Sequence, residues 1–218
     1  MFDSNGIQLI IFDFDGVIVE SNGIKDKVFR EIFNRFPEHS EDFWQYHRKY
    51  VSVSRYTKFD YVLEKTGRQG DTDFRNELAA EFSKITLELM QSVPFVKGAK
   101  EFLTNLHTKF PLYLASVTPQ EDLDIIIDNL QLRSFFKKIY GCPPWVKADA
   151  IRDIMVKENR SPAETVLIGD SYGDQRAANE TGIHFIGRDS GLGFEEPQPI
   201  FIVPDLTALS AIFTENVQ

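Results

Sequence analysis

The sequence predicts an α/β protein: a parallel sheet with helices on both faces, and an α-helical domain inserted after the first strand. Three observations predict it. An apolar run at residues 7–12 stops abruptly at Asp13-Phe14-Asp15-Gly16, the pattern of a buried strand running into a polar turn. From residue 94 onward, helix-length and strand-length segments alternate, which favours right-handed parallel crossovers. Between them, residues 20–91 are polar, show helical spacing and are too long for one loop.

The elements follow in order. After the first strand, Phe29, Ile32, Phe33 and Phe36 fall at i, i+3, i+4 and i+7, one helix face that Pro37 closes. Leu78, Phe82, Ile85 and Leu89, at i, i+4, i+7 and i+11, again fall on one helix face before Pro94. Residues 50–55, between these helices, read as a loop. Helices are then expected over 98–108, 119–130, 147–159 and 173–181, each leading to a strand, at 111–116 before the second helix and then at 138–141, 165–168 and 183–186. A last strand at 200–203 and a last helix at 206–213 complete the chain. The expected division is a core domain of residues 1–18 and 92–218 and a helical domain of residues 19–91.

Composition bounds the function. The 218 residues are 42% hydrophobic and 26% charged, enough to bury a core. With 24 Lys+Arg against 33 Asp+Glu the net charge is −9, which disfavours a nucleic-acid partner. An anionic small substrate needs local cations or a metal against that field. A single cysteine, Cys142, excludes an intramolecular disulfide and a Cys-based zinc site. The first six residues lack a basic n-region and no run reaches membrane-spanning length, so a soluble, cytoplasmic protein is expected.

Ligands of open α/β sheets bind outside the carboxyl ends of the strands. Here those ends carry Asp13 and Asp15, then Ser116-Val117-Thr118, then Lys147, then Gly169-Asp170-Ser171 with Asp174. Crowded carboxylates need a cation or shared protons. Hard oxygen donors without His or Cys point to Mg²⁺. Lys147 and the Ser116 hydroxyl supply donors for a phosphoryl group. Each residue also has an ordinary reading: Asp13-Phe14-Asp15-Gly16 as a turn, Ser116 and Asp174 as helix caps, Lys147 as a solvated charge. The four histidines show no metal spacing.

Asp13-x-Asp15-Gly16-Val-Ile-Val-Glu-Ser, Leu-Ala-Ser116-Val-Thr, Lys147, and Gly169-Asp170-Ser-x-x-Asp174-x-x-Ala-Ala-x-x-x-Gly occur in order over nearly the whole chain. This set resembles the haloacid dehalogenase superfamily, in its helical-cap phosphatase and phosphomutase branch. The resemblance implies a Rossmann-like core with a cap domain and Mg²⁺-dependent hydrolysis of a small phosphomonoester, with sugar phosphates among the expected substrates. It implies Asp13 as nucleophile and Asp15 as general acid. Asp13, the Asp15 carbonyl and Asp170 would ligate metal. Ser116, Val117 and Lys147 would bind phosphate, with Asp174 in support. The acid at Asp15 favours phosphate over carbon–halogen chemistry. Residues 52–59 resemble the cap specificity loop, where Arg55 and Lys58 could reach a second anionic group or be plain surface charges. Lys25 stands where mutases of this branch carry a His, which favours hydrolysis. A phosphomutase, or a phosphonatase using Lys25, stays open as an alternative. A phosphoryl-holding receiver domain is disfavoured by Asp15 and the insertion. Oligomeric state is not legible.

Overall fold

In the computed structural model, residues 6–214 are described, so the expected lack of a leader at the start rests largely on residues outside them. Two compact units form, Met1–Glu20 with Pro94–Gln218, and Ser21–Val93.

The first unit holds a six-stranded sheet in the order β3-β2-β1-β4-β5-β6, parallel throughout. Its strands are β1 (Leu9–Phe12), β2 (Leu112–Ser116), β3 (Lys138–Gly141), β4 (Thr165–Gly169), β5 (His184–Arg188) and β6 (Phe201–Val203). The central strands β1, β2 and β4 are buried along their whole length, as expected of a sheet covered on both faces. On one face Leu9, Ile11, Tyr113 and Leu167 pack with Ile151, Ile154, Ala177 and Ala178. The latter come from the helices Lys147–Glu158 and Tyr172–Thr181. On the other, Phe12 meets Phe102 edge-on at 6.1 Å, and Phe102 meets Phe213 at 5.9 Å. Each such buried ring contributes about 1.5–3 kcal/mol relative to exposure. Parallel pairing sends every strand's carboxyl end to one edge, where the polar residues identified above collect.

The second unit is four helices: α1 (Asn22–Phe33), α2 (Ser40–Lys49), α3 (Arg55–Lys65) and α4 (Thr72–Met90). In chain order the helices of the first unit are then α5 (Ala99–Leu106), α6 (Gln120–Asn129), α7 (Lys147–Glu158), α8 (Tyr172–Thr181) and α9 (Thr207–Thr214). The core of the second unit is aromatic, with Phe29 4.4 Å from Phe82 and 5.8 Å from Phe59 between ring centroids. Ser54 and Asp71 cap α3 and α4 by accepting from Thr57 N and Phe74 N. The structure corrects the expectation for this region. The loop gives way to helix already at Arg55, and the specificity-loop stretch from Arg55 to Phe59 lies in the first turns of α3. The buried stripe of α3 is Arg55, Lys58, Phe59, Val62 and Leu63. Its helical spacing is regular, but two of its members are charged.

Candidate active site

Asp13 directly follows β1 and keeps the sheet register, its N–H donating to Ile168 O at 2.8 Å. Lys147 opens α7 and donates to Asp13 Oδ1 at 2.8 Å and to Asp174 Oδ1. Asp13 and Asp174 are buried, and 9% of the Lys147 side chain is exposed. Asp174 sits in the first turn of α8. Its Oδ2 accepts from Ser171 Oγ at 2.6 Å, Ser171 N at 3.1 Å and Asp170 N at 3.3 Å. This packing requires Gly169: a Cβ there would stand 2.3 Å from Asp174 Cβ.

Carboxylate oxygens of Asp13, Asp170 and Asp174 lie within 4.8 Å of one another, all three residues buried. Burial, with Asp174, Asp170 and Asp15 adding repulsion, pushes the Asp13 carboxyl well above its ordinary value despite Lys147. Burial opposes charge on Lys147, but Asp13 and Asp174 outweigh it and raise the amine above its ordinary range. One lysine faces a carboxylate cluster made of oxygen donors, and a hard divalent cation fits that donor set. Both Asp174 oxygens already accept hydrogen bonds, which suits it to holding Lys147 more than to direct ligation.

Asp15 is buried, 7% exposed. Its Oδ2 accepts from Thr118 Oγ1 at 2.9 Å and from Ser116 Oγ at 3.4 Å. Ser116 Oγ also accepts from Thr118 N at 3.1 Å, closing a local turn; the helix cap expected of Ser116 is not formed, since α6 begins at Gln120 with Pro119 at its N-cap and no side-chain cap bond. Val117 lies half-buried between them. Thr118 escaped the sequence reading as a site residue. The available signal was a second hydroxyl two positions after Ser116 at the same strand end.

The charged residues proposed for the helical unit are packed inside it, which corrects the reading of Arg55 and Lys58 as surface charges. Arg55 donates to Ser83 Oγ at 2.6 Å, with its guanidinium 5.0 Å from the Phe82 ring centroid. Lys58 Nζ lies 2.8 Å from His47 Nδ1, and His47 Nε2 lies 2.8 Å from Asp26 Oδ1. Burial, with the Lys25 charge nearby, brings the Lys58 amine down to about 7 against the pull of Asp26. Burial likewise lowers His47. Lys25 itself is half-buried on α1.

A family model described as haloacid dehalogenase-like hydrolase matches residues 10–188. The chain is 23% identical over 185 residues to a phosphoglycolate phosphatase of Synechococcus elongatus, covering 81% of each. A haloacid dehalogenase-like hydrolase from Streptococcus pneumoniae superposes with a TM-score of 0.74 at 22% identity, over 95% of this chain and 99% of that one. CbbY from Rhodobacter sphaeroides, solved in complex with phosphate, gives 0.75 at 15% identity over 95% and 99%. These structural likenesses establish the shared fold. Matched over most of its length by the family model, the chain belongs to the haloacid dehalogenase-like hydrolase family and is an enzyme of the phosphatase type within it.

Proposed function

We propose that this phosphatase hydrolyses a small phosphomonoester through a phosphoryl group held on Asp13. The observation that carries the reading is the pairing of two buried carboxylates with different partners at one strand end. Asp13 is held by a lysine, and Asp15 by two hydroxyls. The Lys147 contact fixes the Asp13 carboxylate and leaves Asp13 Oδ2 to attack phosphorus. Asp15 protonates the departing alcohol oxygen. It then takes a proton from the water that opens the acyl phosphate, returning both carboxyls to their starting states. Lys147, Ser116 and the Val117 N–H hold the equatorial oxygens of the transferring group. Asp174 orients Lys147. Asp13, Asp170 and the Asp15 carbonyl are the proposed holders of Mg²⁺, which when bound offsets the charge of the transferring group. In this proposal residues 1–18 and 92–218 carry the chemistry and residues 19–91 the selectivity. Arg55, Lys58 and Lys25 are the proposed selectivity residues there.

A small soluble ester fits the strongly acidic chain better than nucleic acid, and the proposed setting is the cytoplasm. Among the described residues no helix is long and apolar enough to cross a membrane. The test is phosphate release from sugar phosphates, phosphoglycolate, nucleotides and an aryl phosphate, with Mg²⁺ or chelator. Asp13→Asn serves as the blank. Metal-dependent release absent from the variant supports the reading. Release at the wild-type rate by Asp13→Asn ends the nucleophile assignment.

A further inference from the structure

Arg188 ends β5, two strands away from β1 in the sheet, and no step above uses it. It is nonetheless buried, 9% exposed, and both of its terminal nitrogens are spent on the turn that follows Asp15. Nη1 donates to the Gly16 carbonyl at 3.1 Å and to Glu20 Oε2 at 3.0 Å. Nη2 donates to Glu20 Oε1, and Nε to the Pro204 carbonyl at 3.2 Å. Gly16 is the residue after Asp15 and has a φ of +70°, so the chain turns sharply there. The turn is closed by Gly16 N to Val19 O at 2.8 Å and Ile18 N to Phe14 O at 2.9 Å. Beyond it Val19 pairs with Phe95, and Glu20 N donates to Pro94 O at 2.9 Å.

Arg188 therefore grips the turn carrying Asp15 at two points, a backbone carbonyl inside it and a carboxylate just past it. A fork that satisfies a carbonyl and both carboxylate oxygens at once is a task for guanidinium; an ammonium cannot span it. We propose that Arg188 is a positioning residue for the general acid, fixing the turn so that Asp15 meets the leaving oxygen. The inference rests on the phosphatase reading for the role of Asp15. It goes beyond it in assigning a residue of β5 to the acid step.

Acid catalysis matters most when the leaving alcohol is poor, so the test compares leaving groups. Wild type, Arg188→Lys and Glu20→Gln are assayed on an alkyl phosphate and on 4-nitrophenyl phosphate. In Arg188→Lys the kcat for the alkyl ester is expected to fall about tenfold or more, against less than about threefold for the aryl ester. Glu20→Gln keeps the Gly16 contact and is expected to discriminate less between the two esters. Hydrogen exchange of the 14–20 amides is expected to quicken in Arg188→Lys. Equal losses on both esters, or none on either, overturn the proposal and mark Arg188 as structural. Unchanged exchange at 14–20 overturns it as well, whatever the rates. A wild type that releases phosphate from neither ester refutes the phosphatase reading instead, and exchange alone then decides whether Arg188 holds the turn.

Discussion

Replacing Lys58 by methionine should stabilise the helical unit, and by an amount that depends on pH. Lys58 is 3% exposed, packed 4.7 Å from the Phe29 ring centroid, and its amine is lowered from 10.5 to about 7. A base with a depressed folded value binds protons more readily unfolded, so stability rises with pH between the two values. Below pH 7 the wild type carries the full cost of the buried ammonium, about 5 kcal/mol at ~1.36 kcal/mol per pKa unit. Between pH 6 and pH 9 the relief amounts to about 3 kcal/mol. Methionine fills similar volume without charge, and exchanging buried charge for apolar packing is commonly stabilising. The change also strips donors from His47 Nδ1 and from the Val51 carbonyl, a cost of about 1–3 kcal/mol nearly independent of pH. Urea unfolding of both proteins at pH 6 and pH 9 isolates the titration as a difference of differences. The advantage of Lys58→Met should shrink by about 3 kcal/mol from pH 6 to pH 9, a relative midpoint change of about 1 M or more. An advantage equal at the two pH values would refute the idea that Lys58 titrates in the folded interior.

Other outcomes follow from the same geometry. Asp13→Asn should abolish phosphate release while leaving the circular dichroism spectrum intact. Gly169→Ala forces a methyl against Asp174, and should lower both melting temperature, by about 1–3 kcal/mol of stability, and activity through a displaced Lys147. Thr118→Val removes the 2.9 Å donor to Asp15 and should reduce kcat about tenfold with little change in KM. Mg²⁺ should stabilise wild type by about 2.7 kcal/mol at a hundredfold excess over Kd, read as a raised melting temperature, and much less in Asp170→Asn.

What the sequence revealed depended on whether a residue's role agreed with its type. Ile10, Ile11 and Phe12 are apolar and buried, so β1 and the turn after it were legible. The same holds for Phe29, Ile32 and Phe33 on α1. Helix α3 was not, because Arg55 and Lys58 occupy apolar positions of its stripe and read as solvated. Helix α2 buries only Phe43 and His47, too few to announce a period. Asp13, Asp15, Asp170 and Lys147 stood out as polar residues at strand ends. The orientation of Thr118 toward Asp15, and the reach of Arg188 from β5 to Gly16, depend on side-chain geometry between distant segments, which spacing along one chain does not encode.

The paired backbone at Val19 and Phe95 has a further consequence. Glu20 N and Pro94 O are 2.9 Å apart, so the helical unit departs and returns at nearly the same point. To the sheet, that unit is a long loop whose ends are already closed. Each doubling of such a loop costs only about 0.6 kcal/mol in closure entropy. The insertion can therefore be lengthened, exchanged or cut back to a short turn without shifting a strand, and the helical unit can diverge while Asp13 and Lys147 stay where they are.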